Sequence, residues 1–108
     1  MRLTFTHYIA DDPSSVADRL DDAVVAGLDA AADRTQAPRR ATVTTHTDDG
    51  LHVDDGLDTL AGTHLTVLGD DRFTEVRVEI PWSQFDAGTT KLWAANRFAG
   101  VVADRLAA

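Results

Sequence analysis

The chain has 108 residues, no cysteine and a formal net charge of −8. That length is one domain, residues 1–108, and it buries a core without staples. The missing thiols exclude disulfides, thiolate metal sites and a cysteine nucleophile. The acidic surface excludes nucleic acid and anionic membrane as partners.

The charge is built from an unusual alphabet. Aspartate supplies 16 of 18 acids, arginine nine of ten bases, and Lys91 is the only lysine. A salt-loving (halophilic) origin and a high-GC genome both give this bias. They differ in one measurable way. A halophilic chain gains melting temperature as KCl rises, because molar salt shortens the Debye length to roughly 3 Å.

"RLTFTHYI", residues 2–9, alternates with period two and reads as a strand. Leu3, Phe5, His7 and Ile9 share one face; Arg2, Thr4, Thr6 and Tyr8 share the other. Asp12 before Pro13 is a helix N-cap with proline in the first turn. Val16, Leu20, Val24, Leu28 and Ala31 then form a helical stripe, which predicts a helix over about 13–34. Gly27 weakens its middle and is the candidate break point.

"ATVTTHT" (41–47) reads as a threonine-rich strand. Two hexads follow, His46-Thr47-Asp48-Asp49-Gly50-Leu51 and His52-Val53-Asp54-Asp55-Gly56-Leu57. A calcium loop needs oxygen ligands at fixed spacing and a late glutamate, which these lack. His46 and His52 have the parity to share a hairpin face, but no strong third zinc ligand accompanies them. Asp-Asp-Gly is a turn former, so the hexads read as two acidic turns, with no metal site and no cofactor.

"GTHLTVLG" (62–69) and "RFTEVRVEIP" (72–81) read as strands joined by a Gly69-Asp70-Asp71 hairpin. In the second, Thr74, Val76, Val78 and Ile80 share one face; Phe73, Glu75, Arg77 and Glu79 share a wet one. From about Thr89 the chain reads as helix. Leu92, Ala95, Phe98, Ala99, Val102 and Leu106 form its apolar stripe. Trp93 lies off that stripe and is the candidate interface residue.

The order β-α-β-β-β-β-α predicts an α+β domain. Its expected architecture is a curved antiparallel sheet of four to six strands, with an N-terminal helix and a long C-terminal helix packed on one face. No serine stands in a nucleophile elbow, and no phosphate loop or H-E-x-x-H is present. No catalytic residue is assigned, and the bland reading of His7 is an inward histidine with its hydrogen bonds satisfied. No apolar run reaches the ~18 residues that span a bilayer, and the N-terminus shows no leader pattern. The expected compartment is the cytoplasm.

Two stretches carry a family resemblance. One is "RLTFTHYIADDPSSVADRL"; the other is "TEVRVEIPW" followed by "KLWAANRFAGVVADRL". A strand running into a helix at the start, and a strand leading into a long helix at the end, resemble the START-like (SRPBCC) helix-grip superfamily. In length and element order the chain is most similar to its short polyhydroxyalkanoic acid system proteins. The resemblance implies a long C-terminal helix across a curved sheet, and an apolar ligand or hydrophobic partner held between them, without a catalytic set. On that expectation the lining residues are Phe5, His7, Val78, Trp82, Phe85, Leu92 and Phe98. The competing expectation is an interaction module without a pocket, forming a homodimer through its sheet edge and Trp93.

Overall fold

The computed structural model describes residues 2–35, 43–47, 50–54, 60, 62–69, 72–82 and 90–107. Side chains are described over 2–32, 60, 62–69, 72–82 and 91–107. The elements are β1 (Arg2–Ile9), α1 (Pro13–Thr35), β2 (Val43–Thr47), β3 (Gly50–Asp54), β4 (Thr63–Gly69), β5 (Thr74–Pro81) and α2 (Thr90–Ala107). The class is α+β, with two helices and an antiparallel sheet ordered β1-β5-β4-β3-β2.

β1, β5 and β4 carry the described half of the core. Their registers pair Phe5 with Val78 and Val78 with Leu65, so one row of apolar side chains crosses three strands. Burial follows the alternation. Val76, Val78, Ile80 and Leu65 are fully buried, while Glu75, Arg77 and Glu79 are only half-buried. A period-two pattern with one wet face is what a sheet covered on one side requires. β3 and β2 extend the ladder beyond β4.

Both helices contribute to the core over these strands, and they pack chiefly against each other. Val16, Leu20, Val24, Leu28 and Ala31 are buried as their spacing predicts, each contributing about 1.5–3 kcal/mol over leaving it exposed. Ala23 is buried beside them. α1 runs through Gly27 without a break. A Cβ there would lie 2.8 Å from Phe98 Cδ2 and 3.0 Å from Val102 Cγ2. Gly27 is therefore the point where α2 approaches α1, and the expected break is corrected to a helix crossing.

In α2 the buried positions are Ala94, Ala95, Phe98, Ala99, Val102 and Leu106. Leu92 is 38% exposed. The stripe is thus rotated toward Ala94, and Leu92 lies at its rim. Trp93 is half-buried and packs against the core cluster although it is off the stripe.

Among the described residues, Thr63 and Thr74 are polar side chains buried whole, and both are satisfied. Thr63 Oγ1 donates to the Leu60 carbonyl, and Thr74 Oγ1 donates to the Asp11 carbonyl at 2.8 Å. Gly62, just before β4, adopts φ of 80°, a left-handed conformation that favours glycine.

The cap at the start of α1 has a pH signature. The Ser15 hydrogen bond, more than any other contact, holds the Asp12 carboxyl below its ordinary value of 3.8. A depressed carboxyl contributes stability above its unfolded pKa and loses it as pH falls through the folded one. Asp12→Ala should lower the melting temperature at pH 7. Asp12→Asn should retain most of the cap and lose only this acid-side dependence. Thermal melts of the three proteins from pH 7 to pH 3 check both.

Candidate functional site

β1 places the most unusual polar group of the described residues. Its inward row is Leu3, Phe5, His7 and Ile9, opposite Ile80, Val78, Val76 and Thr74 of β5. α2 packs over this end of the sheet. His7 therefore faces an apolar interior, flanked by Phe5 and Ile9 along the strand. Its Nε2 is buried and has no hydrogen-bond partner among the described residues. The reading of His7 as a satisfied inward histidine is corrected here. An orphaned buried nitrogen costs about 1–3 kcal/mol, so its retention asks for an explanation.

The other residues expected to line a site fall into three groups. Val78 and Phe98 are fully buried, Val78 in the centre of the sheet and Phe98 against Gly27. Phe5 and Trp82 are half-buried, and Leu92 is exposed. Phe85 lies outside the described residues. The structure thus brings Phe5, His7 and Val78 together on β1 and β5 beneath α2. It gives Phe98 to the helix crossing.

A second feature was invisible in the sequence. A cleft of about 300 Å³ opens where β1 ends, lined by Tyr8, Ile9, Ala10 and Asp11, with Arg19, Leu106 and Ala107 opposite. Arg19 holds it together. Its Nη1 donates to Asp11 Oδ2 at 3.1 Å, and its Nη2 donates to the Leu106 carbonyl at 2.7 Å. The second bond places a cation on the C-terminal carbonyls of α2, where the helix dipole favours it. Only an arginine close to the Val16–Leu20 stripe hinted at this, since Leu106 lies 87 residues away. Arg19 Nε, like His7 Nε2, is buried without a hydrogen-bond partner among the described residues, while the two Nη groups tie a carboxylate to a helix end, so the cleft is a joint between β1 and α2.

Of the doubled hexad only the backbone of residues 46–47 and 50–54 is described. The β2–β3 register pairs His46 with Leu51 and His52 with Thr45. The two histidine positions therefore have opposite parity, and the expectation that they share a face is corrected. The even spacing within the sequence misled because the turn inverts parity across the ladder. Asp48, Asp49 and Asp55 lie outside the described residues. Among the described residues no three histidine or acidic side chains converge as a metal site, and no helix is long and apolar enough to cross a membrane.

Ser14 and Ser15 sit in the first turn of α1, where Ser15 bonds the capping Asp12; Ser83 lies outside the described residues. Comparison of the chain with protein-family models, with curated proteins and with solved structures finds no match.

Proposed function

We propose that this chain is a small non-enzymatic START-like domain that binds an apolar molecule between α2 and the sheet. His7 is the polar handle of that site. The observation that carries the reading is the orphaned Nε2, a single hydrogen-bonding atom in an otherwise apolar surround. Small-molecule sites are built this way, mostly apolar with a few polar groups that fix orientation. A ligand with one hydroxyl, carbonyl or carboxylate end would restore the missing bond, while its apolar body lay along Phe5 and Trp82.

The layout supports the helix-grip reading. β1 lies beside the last strand, β5, and an 18-residue helix closes the chain. A sheet curved around that helix belongs to the same proposal. Phe5 and His7 are half-buried where Val76 and Val78 behind them are fully buried, so access would run along the β1 edge.

Native mass spectrometry of the protein purified without detergent is the test. The expected result is an adduct on the 11.6 kDa chain that denaturation releases. The bare chain mass, together with no binding of a dansyl-labelled fatty acid, would overturn the reading.

A further inference from the structure

The outer edge of β1 carries a separate inference. β1 ends the strand order, so among the described residues it has no strand neighbour on that side. It is eight residues long and pairs with β5 in unbroken register from Arg2 to Ile9. It contains no proline and no lysine, and Arg2 is its one formal charge. Edges of this length are normally blunted by such residues or by a bulge, because a bare edge recruits another strand. The core also stops short here. Leu3, Phe5 and His7 stay half-buried, whereas Val76, Val78 and Ile80 on β5 are 0% exposed.

We propose that a second copy of this chain covers the edge, β1 pairing antiparallel with β1 across a two-fold axis at Phe5. The pairing does not rest on the apolar-ligand reading, and it would close the access route along β1 that the reading uses, so a dimer and a retained adduct are read separately. A two-fold contact is self-complementary, so one edge supplies both halves.

Direct cross-strand contacts select the register, with the row-end charges, already paired as Arg2–Glu79 and Arg77–Glu75 within each copy, a minor bias. Within a continuous sheet, residues facing each other must share a face. Two such registers pair seven residues of β1, one centred on Phe5 and one on Thr6. The open face carries Glu79 beside Thr4, Arg77 beside Thr6 and Glu75 beside Tyr8. Centring on Thr6 continues Glu79–Thr4 into Tyr8–Glu75 of the second copy, and Arg77–Thr6 into Thr6–Arg77. Like charges then end both rows. Centring on Phe5 continues Glu79–Thr4 into Thr6–Arg77, so opposite charges end the row. It also sets Arg2 against Tyr8 of the second copy, whose hydroxyl lies 3.4 Å from Glu75 Oε1. A cation over an aromatic ring next to a carboxylate is favourable. On the inner face the same register sets Phe5 against Phe5, an aromatic cross-strand pair over the open side of the core. Such charges bias the register more than they set the affinity.

Each copy carries −8, so association should be weak in dilute buffer and tighten by roughly tenfold or more in molar KCl as repulsion is screened. Sedimentation equilibrium of the full chain at both salts reads this. Because the chain has no cysteine, register can be read by oxidation. Thr4 and Thr6 are exposed, so Thr4→Cys and Thr6→Cys leave the core intact. An equimolar mixture of the two variants should give a covalent heterodimer, and Thr6→Cys alone should not cross-link. A monomer at both salts overturns the pairing, even if the edge later proves to take an extended peptide from another protein. A covalent dimer from Thr6→Cys alone overturns the register.

Discussion

Replacing Phe98 with alanine is expected to cost about 3–5 kcal/mol, the usual penalty for emptying an aromatic core position. The ring is fully buried and lies against the backbone of α1 at Gly27, where no Cβ intervenes. Natural domains hold about 5–15 kcal/mol in all, so this substitution should drop the melting temperature by roughly 20 °C. The partner substitution makes the cause specific. Gly27→Ala would set a Cβ 2.8 Å and 3.1 Å from Cδ2 and Cε2 of the Phe98 ring. A packed ring cannot swing aside as the end of a flexible side chain does. Overpacking of about 1–3 kcal/mol should therefore outweigh the ~1 kcal/mol that alanine adds to helix propensity. In a Phe98→Leu background the ring part of the clash is removed and the 3.0 Å approach to Val102 Cγ2 remains, so Gly27→Ala should cost less than it does alone. Urea melts of the four proteins in this cycle measure the coupling. An increase in midpoint for Gly27→Ala alone would show that the helices do not approach as closely as described.

His7→Leu is expected to act in the opposite direction, raising stability by about 1–3 kcal/mol. The substitution removes an unpaired buried nitrogen and leaves an apolar side chain of similar size beside Phe5 and Ile9. The same variant should lose the retained adduct, because the polar handle is gone. Stability gained as binding is lost is the behaviour of a group held against its folding cost for a functional reason. An unfolding free energy that falls by more than about 1 kcal/mol would instead mean that His7 is already satisfied in the free protein.

How much of this was legible depended on the range of the interaction. The alternation in 2–9 predicts β1 with the bounds the structure has, because side-chain direction in a strand is fixed residue by residue. The i, i+4 stripe predicts α1 and all five of its named buried residues for the same reason. Asp12 and Pro13 mark the start of that helix through bonds made within three residues. The stripe of α2 was one position out at its start. A wheel ranks Leu92 by apolarity, whereas the crossing selects Ala94 by the direction of approach.

Phe5, His7 and Val78 were named as lining residues on the strength of the resemblance, and the register places Phe5 opposite Val78. Phe98 was named with them, but its burial against Gly27 depends on two helices separated by more than half the chain. Arg19 was missed, since its partners Asp11 and Leu106 carry no sequence signal of their own.

By itself the sequence determined the described elements, the inward faces of β1, β5 and α1, and the absence of thiol chemistry. These follow from local sterics, hydrophobic period and composition. Only the tertiary structure decided that β1 closes against β5, that Gly27 is a contact rather than a break, and that His46 and His52 differ in parity. Among the described residues it alone left His7 Nε2 without a partner and β1 without an outer neighbour. Each of these depends on which distant segment arrives at a given face. That choice is made by packing and register across the whole core, which a period of two or 3.6 residues does not encode.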